Sequence, residues 1–404
     1  MVPPDPRAVE RGRRGAALNA GRPRRVMVVF GTRPDAVKMA PVVQALRAHP
    51  AELQPVVVVT AQHREMLDQV LELFAIAPDW DLNIMTERQT LADVTVRTLR
   101  GLEDTLARVD PAIVLVQGDA APSFVGALAA FYRKTPVAHV EAGLRTDDKY
   151  QPFPEEMYRR MTTVLADLHF APTATARANL EREGVPRGRI VVTGNTVIDA
   201  LLQVADRKAP PADPRLGALL DRPGRRILLT THRRENWGGP QRSIFQAVRD
   251  LLDRVPDLEL VFPVHPNPVV AAPAQEILGG HARAHLFAPL DYASLVRCMK
   301  GAALILTDSG GIQEEAPSLG RPVLVLRETT ERPEGVEAGT ARIVGTDRGT
   351  IVSTALMLLT DAASYRHMAE ARNPYGDGHA AERIVAALRG YFGFTTNFPE
   401  EFAV

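Results

Sequence analysis

Short runs of valine, isoleucine and leucine alternate with longer amphipathic stretches along nearly the whole chain. A brief, continuously apolar run between amphipathic helices is the pattern of a parallel strand buried on both faces. The first set of runs includes Val26–Phe30, Pro55–Thr60, Ile113–Gln117, Val137–Val140 and Ile190–Thr193. Helical periodicity lies between them, as in Asp35–Ala48, Arg64–Phe74, Leu91–Ala107 and Pro122–Arg133. The alternation breaks at the polar, proline-rich stretch Asp206–Pro214 and restarts with Ile227–Thr231, Leu258–Val264, Leu304–Thr307 and Pro322–Leu326. A composition shift of this kind marks a domain boundary. The expectation is therefore an α/β chain with two Rossmann-like domains whose parallel sheets face each other across a cleft. Residues 1–24 are expected as a disordered tail, 25–205 as the first domain, 206–224 as a linker, 225–392 as the second domain and 393–404 as a C-terminal tail.

A chain of 404 residues is long enough for two such cores. Its 48 basic and 48 acidic side chains balance, which speaks against a nucleic-acid binder, since those carry a basic excess. The lone cysteine, Cys298, excludes an intrachain disulfide framework and reads as a buried structural thiol in a helix. No apolar run approaches the roughly 20 residues of a membrane span, and the first 24 residues lack the apolar segment of a secretory signal. Cytoplasmic residence without membrane contact is the expectation.

Every chemically suggestive segment falls just after an apolar run or at a helix start, and open parallel sheets hold their ligands at the carboxyl ends of their strands. Gly31-Thr32-Arg33-Pro34 leads into a helix carrying Lys38, one of few lysines in an arginine-rich chain. Arg33 can fork onto a phosphate, and Lys38 lies one turn beyond Pro34; a structural ion pair is the alternative. Asp119 follows the third run, where it can serve as a base or cap the next helix. Glu141 follows the fourth. Glu155 and Arg159 stand four apart on one helix face, a spacing equally suited to a site or to a surface ion pair. His232 lies beside Arg233 and Arg234, which favour its neutral form unless an anion binds. Ser309-Gly310-Gly311 opens a helix with Glu314 and Glu315 in its first turns, and bare glycine backbone lets an oxygen-rich ligand approach. No paired His/Cys spacing suggests a metal, and Gly31-Thr32-Arg33-Pro34 stands where Gly-x-Gly-x-x-Gly would mark a nicotinamide cofactor. No cofactor is expected.

Taken in order, these segments resemble the bacterial non-hydrolysing UDP-N-acetylglucosamine 2-epimerases. The resemblance rests on Gly31–Pro34, Gln62–Asp68, Val140–Thr146, Pro154–Glu156, His232–Asn236, Asp308–Glu315 and Thr329–Gly335, and covers residues ~25 to 390. It implies a B-type glycosyltransferase fold, usually a homodimer, and reversible interconversion of UDP-GlcNAc and UDP-ManNAc without NAD or metal. UDP would be eliminated to leave 2-acetamidoglucal, then added back. On that resemblance Asp119, Glu141 and Glu155 match catalytic carboxylates, and His232 the histidine that assists UDP departure. Arg33, Lys38 and Arg159 match basic positions near the substrate, and Ser309, Gly310, Gly311 and Glu315 the UDP-binding turn. Gln62, His63 and Arg64 fall in the segment tied to allosteric activation by UDP-GlcNAc. Four positions depart from the pattern: Asp35 for glutamate, Ala61 for glycine, Ala120 for threonine and Tyr158 for asparagine. The alternatives are a hydrolysing relative releasing ManNAc and UDP, an epimerase of a 2,3-diacetamido uronic acid, a glycosyltransferase, or a non-catalytic nucleotide-sugar binder.

Overall fold

The computed structural model describes residues 22–60, 64–86, 89–207, 210–397 and 400–403. They form two compact units, one of residues up to 200 together with 376–403, the other of residues 201–375.

In the first unit, seven strands run β1 (Arg24–Phe30), β2 (Leu53–Val59), β3 (Trp80–Asp81), β4 (Ile113–Gln117), β5 (Val137–Val140), β6 (Leu168–Ala171) and β7 (Ile190–Val192). Their spatial order is β3-β2-β1-β4-β5-β6-β7, with every pair parallel. The valine-rich centre explains the arrangement. Val28 registers with Val57 on one side and Leu115 on the other, and all three are fully buried. Burial of apolar area on both faces stabilises such strands by roughly 25 cal/mol per Å². The helix Arg33–Arg47 starts at a capping box in which Thr32 and Asp35 exchange side-chain-to-backbone bonds, with Pro34 in its first turn.

The second unit repeats the plan with six strands: β8 (Arg225–Thr230), β9 (Leu258–Pro263), β10 (Ala284–Phe287), β11 (Leu304–Thr307), β12 (Val323–Val325) and β13 (Ala341–Ile343). The order is β10-β9-β8-β11-β12-β13, again parallel throughout. Its core packs Phe245 against Phe262 beside Leu260, Leu306 and Leu324. Cys298 is buried in the helix Tyr292–Gly301, and burial pushes its thiol up to about 12.

The doubly wound architecture is as expected, but three boundaries differ. The stretch 206–224 contains a helix, Pro214–Asp221, started by Asp213 accepting from the Arg215 N–H. The last helix, Ala380–Tyr391, belongs to the first unit, where it packs on the helix Arg33–Arg47. Two buried bonds fix its start, as Asp199 accepts the N–H groups of Ala380 (3.2 Å) and Ala381 (2.7 Å). The described part of the C-terminal segment is docked rather than loose: Phe402 is buried and Glu401 pairs with Arg177 and Arg187. Residues 1–21 lie outside the described residues. Among the described residues no helix is long and apolar enough to cross a membrane.

Candidate active site

In a doubly wound sheet the strand order reverses at one place, and the crevice there is where ligands bind. In the first unit that place is between β1 and β4. Arg33 and Lys38 follow β1, Asp119 follows β4, and Glu141 follows the neighbouring β5.

Glu141 is the centre of this cluster. It is a non-glycine residue with φ +63°, a left-handed conformation that persists only where surroundings impose it. Its side chain is 5 % exposed and accepts four hydrogen bonds from the Lys38, Asn195 and Gln117 side chains. Lys38 Nζ donates to Oε1 (2.6 Å) and to Oε2 (2.8 Å). Asn195 Nδ2 donates to Oε1 at 2.9 Å, and Gln117 Nε2 donates to Oε2. Gly118, with φ +63°, leaves room beside this carboxylate, since a Cβ there would sit 3.1 Å from Glu141 Oε2. The structural ion pair considered for Lys38 therefore exists, and its partner is a candidate site residue.

Asp119 does not cap the following helix. That helix starts at Ala120 with no side-chain cap, while Asp119 receives the Arg159 guanidinium. Arg159 also meets Glu156 at 3.5 Å, so its ion pairs run to Asp119 and Glu156 and not, as the four-residue spacing suggested, to Glu155. Glu155 Oε2 is buried without a hydrogen-bond partner among the described residues. Asp35, one of the four departures from the family pattern, is buried, and desolvation lifts it to about 6 against the pull of Thr32 and Lys38. His139 on β5 is buried with Nε2 2.7 Å from the Gly118 carbonyl, and desolvation lowers it to about 4. It is neutral at pH 7, so Nε2–H donates to that carbonyl and pins the turn before Asp119. Tyr158 stacks flat on Phe124, ring centroids 5.4 Å apart, and packs against Ile84, Val94 and Ala121.

In the second unit the order reverses between β8 and β11, and His232 and Ser309 follow those two strands. Asp308 ties the two strand ends together. It is fully buried and accepts from the Thr231 hydroxyl (3.0 Å), the His232 N–H (3.0 Å), the Arg233 N–H (3.0 Å) and Asn236 Nδ2 (3.1 Å). Burial pushes Asp308 up, but bonds from His232 and the loop amides outweigh it and hold the carboxyl below the usual range. His232 Nδ1 lies 3.1 Å from Asp308 Oδ1. An ionised carboxylate only accepts, so Nδ1 carries the proton and Nε2 is left for a ligand on a side chain 43 % exposed.

Ser309 precedes the short helix Gly310–Glu315. Glu315 is buried and receives the Tyr292 hydroxyl at 2.6 Å, which fixes its Oε1. Gly310 faces Glu331, whose carboxylate takes Arg233 at 2.8 Å and Arg327 on its other oxygen. Burial pushes Glu331 up, and Arg233, Arg327 and Arg332 more than reverse it. Arg332 in turn holds Glu314, and Thr330 donates to Gln313 at 2.6 Å.

Of the residues the sequence reading selected, Lys38 pairs with Glu141 and Arg159 with Asp119 at strand ends of the first unit, Arg33 follows β1 and Glu155 opens the helix that carries Arg159; in the second, His232 follows β8, and Ser309, Gly310, Gly311 and Glu315 follow β11. That reading passed over Gln117, Asn195, Asp308 and Tyr292 as site residues. Asp308 had a visible signal, an acid directly at a strand's end; Asn195 had none beyond following a short apolar run. Gln62 and His63 lie outside the described residues, as does the Arg64 side chain. Among the described residues, no group of three or more His, Cys, Asp or Glu is placed to hold a metal ion.

Comparison with known proteins gives the family. A family model described as UDP-N-acetylglucosamine 2-epimerase matches residues 44–389. The UDP-N-acetylglucosamine 2-epimerase of Bacillus subtilis is 52 % identical over 379 residues, spanning 94 % of this chain and 98 % of that protein. The UDP-N-acetylglucosamine 2-epimerase of Neisseria meningitidis, solved bound to UDP-GlcNAc, is 45 % identical with a TM-score of 0.81, covering 91 % of this chain and 100 % of the other. A Staphylococcus aureus protein solved as a UDP co-structure is 50 % identical with a TM-score of 0.84, covering 94 % and 100 %. The two Rossmann-like units are those of the B-type glycosyltransferase fold. The chain belongs to the UDP-N-acetylglucosamine 2-epimerase family.

Proposed function

We propose that the protein interconverts UDP-GlcNAc and UDP-ManNAc by eliminating UDP and adding it back. The observation that carries this reading is the Glu141 cluster, a buried carboxylate held by four N–H contacts at a switch point, in a chain of this family. The C2 proton of such a sugar is not adjacent to a carbonyl, so it becomes acidic only as positive charge develops at C1 on departure of the C1 substituent. The C1–O bond breaks with its electron pair going to UDP. The C2–H pair becomes the C1=C2 bond of 2-acetamidoglucal, and the proton passes to a carboxylate. Reprotonation on the opposite face and return of UDP complete the epimerisation.

In this scheme Asp119, Glu141 and Glu155 supply the acid–base chemistry, worth typically 10²–10⁴-fold for a positioned group. In the second unit Asp308 orients His232 so that Nε2 is available to assist UDP departure, and in the first Arg33, Lys38 and Arg159 are the basic positions assigned to the substrate. Ser309, Gly310 and Gly311 receive UDP, with Glu315 on its ribose. A cytoplasmic homodimer, activated by UDP-GlcNAc at a second site around Gln62, His63 and Arg64, belongs to the same reading. Sedimentation and the substrate dependence of initial rate test those two features.

The direct test is NMR of the enzyme with UDP-GlcNAc in D2O. UDP-ManNAc appearing with deuterium at C2 of both sugars is the expected result. Free ManNAc and UDP would replace this reading with the hydrolysing one, and an unchanged spectrum would redirect the search to a diacetamido uronic acid.

A further inference from the structure

The amides that surround Glu141 come from distant parts of the first unit. Gln117 is the last residue of β4, and Asn195 lies just past β7, two strands away from β5 in the sheet. Both are buried, at 1 % and 2 % exposure. The orientation of the Asn195 amide is set by a second bond. Asn195 Oδ1 accepts the Val197 N–H at 3.2 Å, which turns Nδ2 toward Glu141. Gln117 presents Nε2 to Glu141 Oε2, while its backbone carbonyl takes the Ser123 hydroxyl. Reciprocally, the Gly118 N–H donates to the Val140 carbonyl at 2.9 Å, and His139 Nε2–H donates to the Gly118 carbonyl. The ends of β4 and β5 are therefore crosslinked in both directions around one carboxylate.

A carboxylate has about four lone-pair sites, and the contacts from Lys38, Gln117 and Asn195 supply donors to both oxygens. Neutral amides that donate but cannot ionise stabilise the carboxylate over the carboxylic acid at every working pH. Lys38 adds a full charge, but its ammonium sits on a flexible stem that is 19 % exposed, whereas both amides are buried and that of Asn195 is held by Val197.

We propose that Gln117 and Asn195 are positioning residues that keep Glu141 ionised and aimed, and thereby set the acid limb of the enzyme's pH profile. The inference rests on the reading of Glu141 as a catalytic carboxylate. When Glu141 accepts a proton, the Lys38 contact is the one free to lengthen, and the amides restore the ionised form for the next turnover.

The experiment measures kcat/KM against pH for Gln117→Met, which keeps the volume and removes the N–H, and Asn195→Asp, which keeps the acceptor for Val197. The acid limb should move upward by about one pH unit in Gln117→Met, roughly a tenfold loss on the acid side that recovers at higher pH. It should move further in Asn195→Asp, where like charges meet. UDP affinity and melting temperature, measured on the same samples, identify folded enzyme. Folded variants whose acid limb stays in place, alongside an inactive Glu141→Gln, would overturn the positioning role alone. A fully active Glu141→Gln would remove the reading on which it rests as well.

Discussion

Glu141 and Asp308 are both buried carboxylates at the ends of parallel strands, yet they use their hydrogen bonds differently. Glu141 is held by side chains drawn from residues 38, 117 and 195. Asp308 is held largely by one loop, Thr231 to Asn236, including two backbone N–H groups. The Lys38 ammonium on its long stem can yield when a proton arrives; backbone amides in a tight loop cannot. The difference separates a carboxylate suited to exchanging protons from one that anchors a loop and orients the histidine beside it.

Removing charge from Glu141 should show the largest effect. Glu141→Gln is expected to lower kcat by 10²–10⁴-fold, with UDP affinity by calorimetry within about twofold of the wild type. Undiminished turnover would end the assignment. Asp308→Asn sets an amide NH2 against a ring of donors, so it should cost roughly 100-fold in kcat/KM and also lower the melting temperature. His232→Asn should match the kinetic loss while leaving the melt nearly unchanged. If Asp308→Asn were stable and active, the anchoring half of the comparison would fall.

The two units also differ in how acid reaches them. In the first, desolvation lowers His139 to about 4 and His169 to about 3, and raises Asp35 and Asp199 to about 6. Histidines depressed below their unfolded value make stability fall as pH drops from 6.5, because the unfolded chain binds the protons. Aspartates raised above theirs act oppositely, since their protonated forms are favoured by the fold and their contribution is lost as pH rises through about 6. Between pH 4 and 6 the two histidines and two aspartates nearly cancel. Asp199→Asn should unbalance them, making the variant roughly 1–2 kcal/mol more acid-sensitive than wild type between pH 6 and 4.5 in urea titrations. In the second unit, Asp308 and Glu331 are both depressed, so their contributions persist above the unfolded carboxyl range and are lost only as pH falls through their lowered values.

The smallest effect concerns Glu315. Tyr292→Phe removes its hydroxyl donor, worth about 1 kcal/mol, and should weaken UDP binding by roughly fivefold. An unchanged affinity would mean that Glu315 is held without Tyr292.

Much of this was legible from residue order. Continuous valine, isoleucine and leucine runs marked the central strands because a strand covered on both faces tolerates little else, and the acids and glycines after those runs marked strand ends, but which ends adjoin the switch points came only with the strand order. The short strands β3, β6, β10 and β13 carry weaker patterns: Trp80-Asp81 is two residues long, and β6 includes His169.

Local chemistry in the chain determined the strand–turn–helix units, the capping box at Thr32 and Asp35, and the family to which the motifs point. Tertiary structure alone decided the pairings. Arg159 sits four residues from Glu155 but binds Asp119, because the helix Glu155–Leu165 packs on the helix Ala121–Tyr132 and presents the guanidinium to the end of β4. The last helix joins the first unit because Asp199, buried in a helix nearly 200 residues earlier, accepts its first N–H groups. Asn195 reaches Glu141 only once β5, β6 and β7 lie side by side. Periodicity is a property of neighbours along the chain, whereas a buried carboxylate takes whatever donor the packed sheet brings within 3 Å of it.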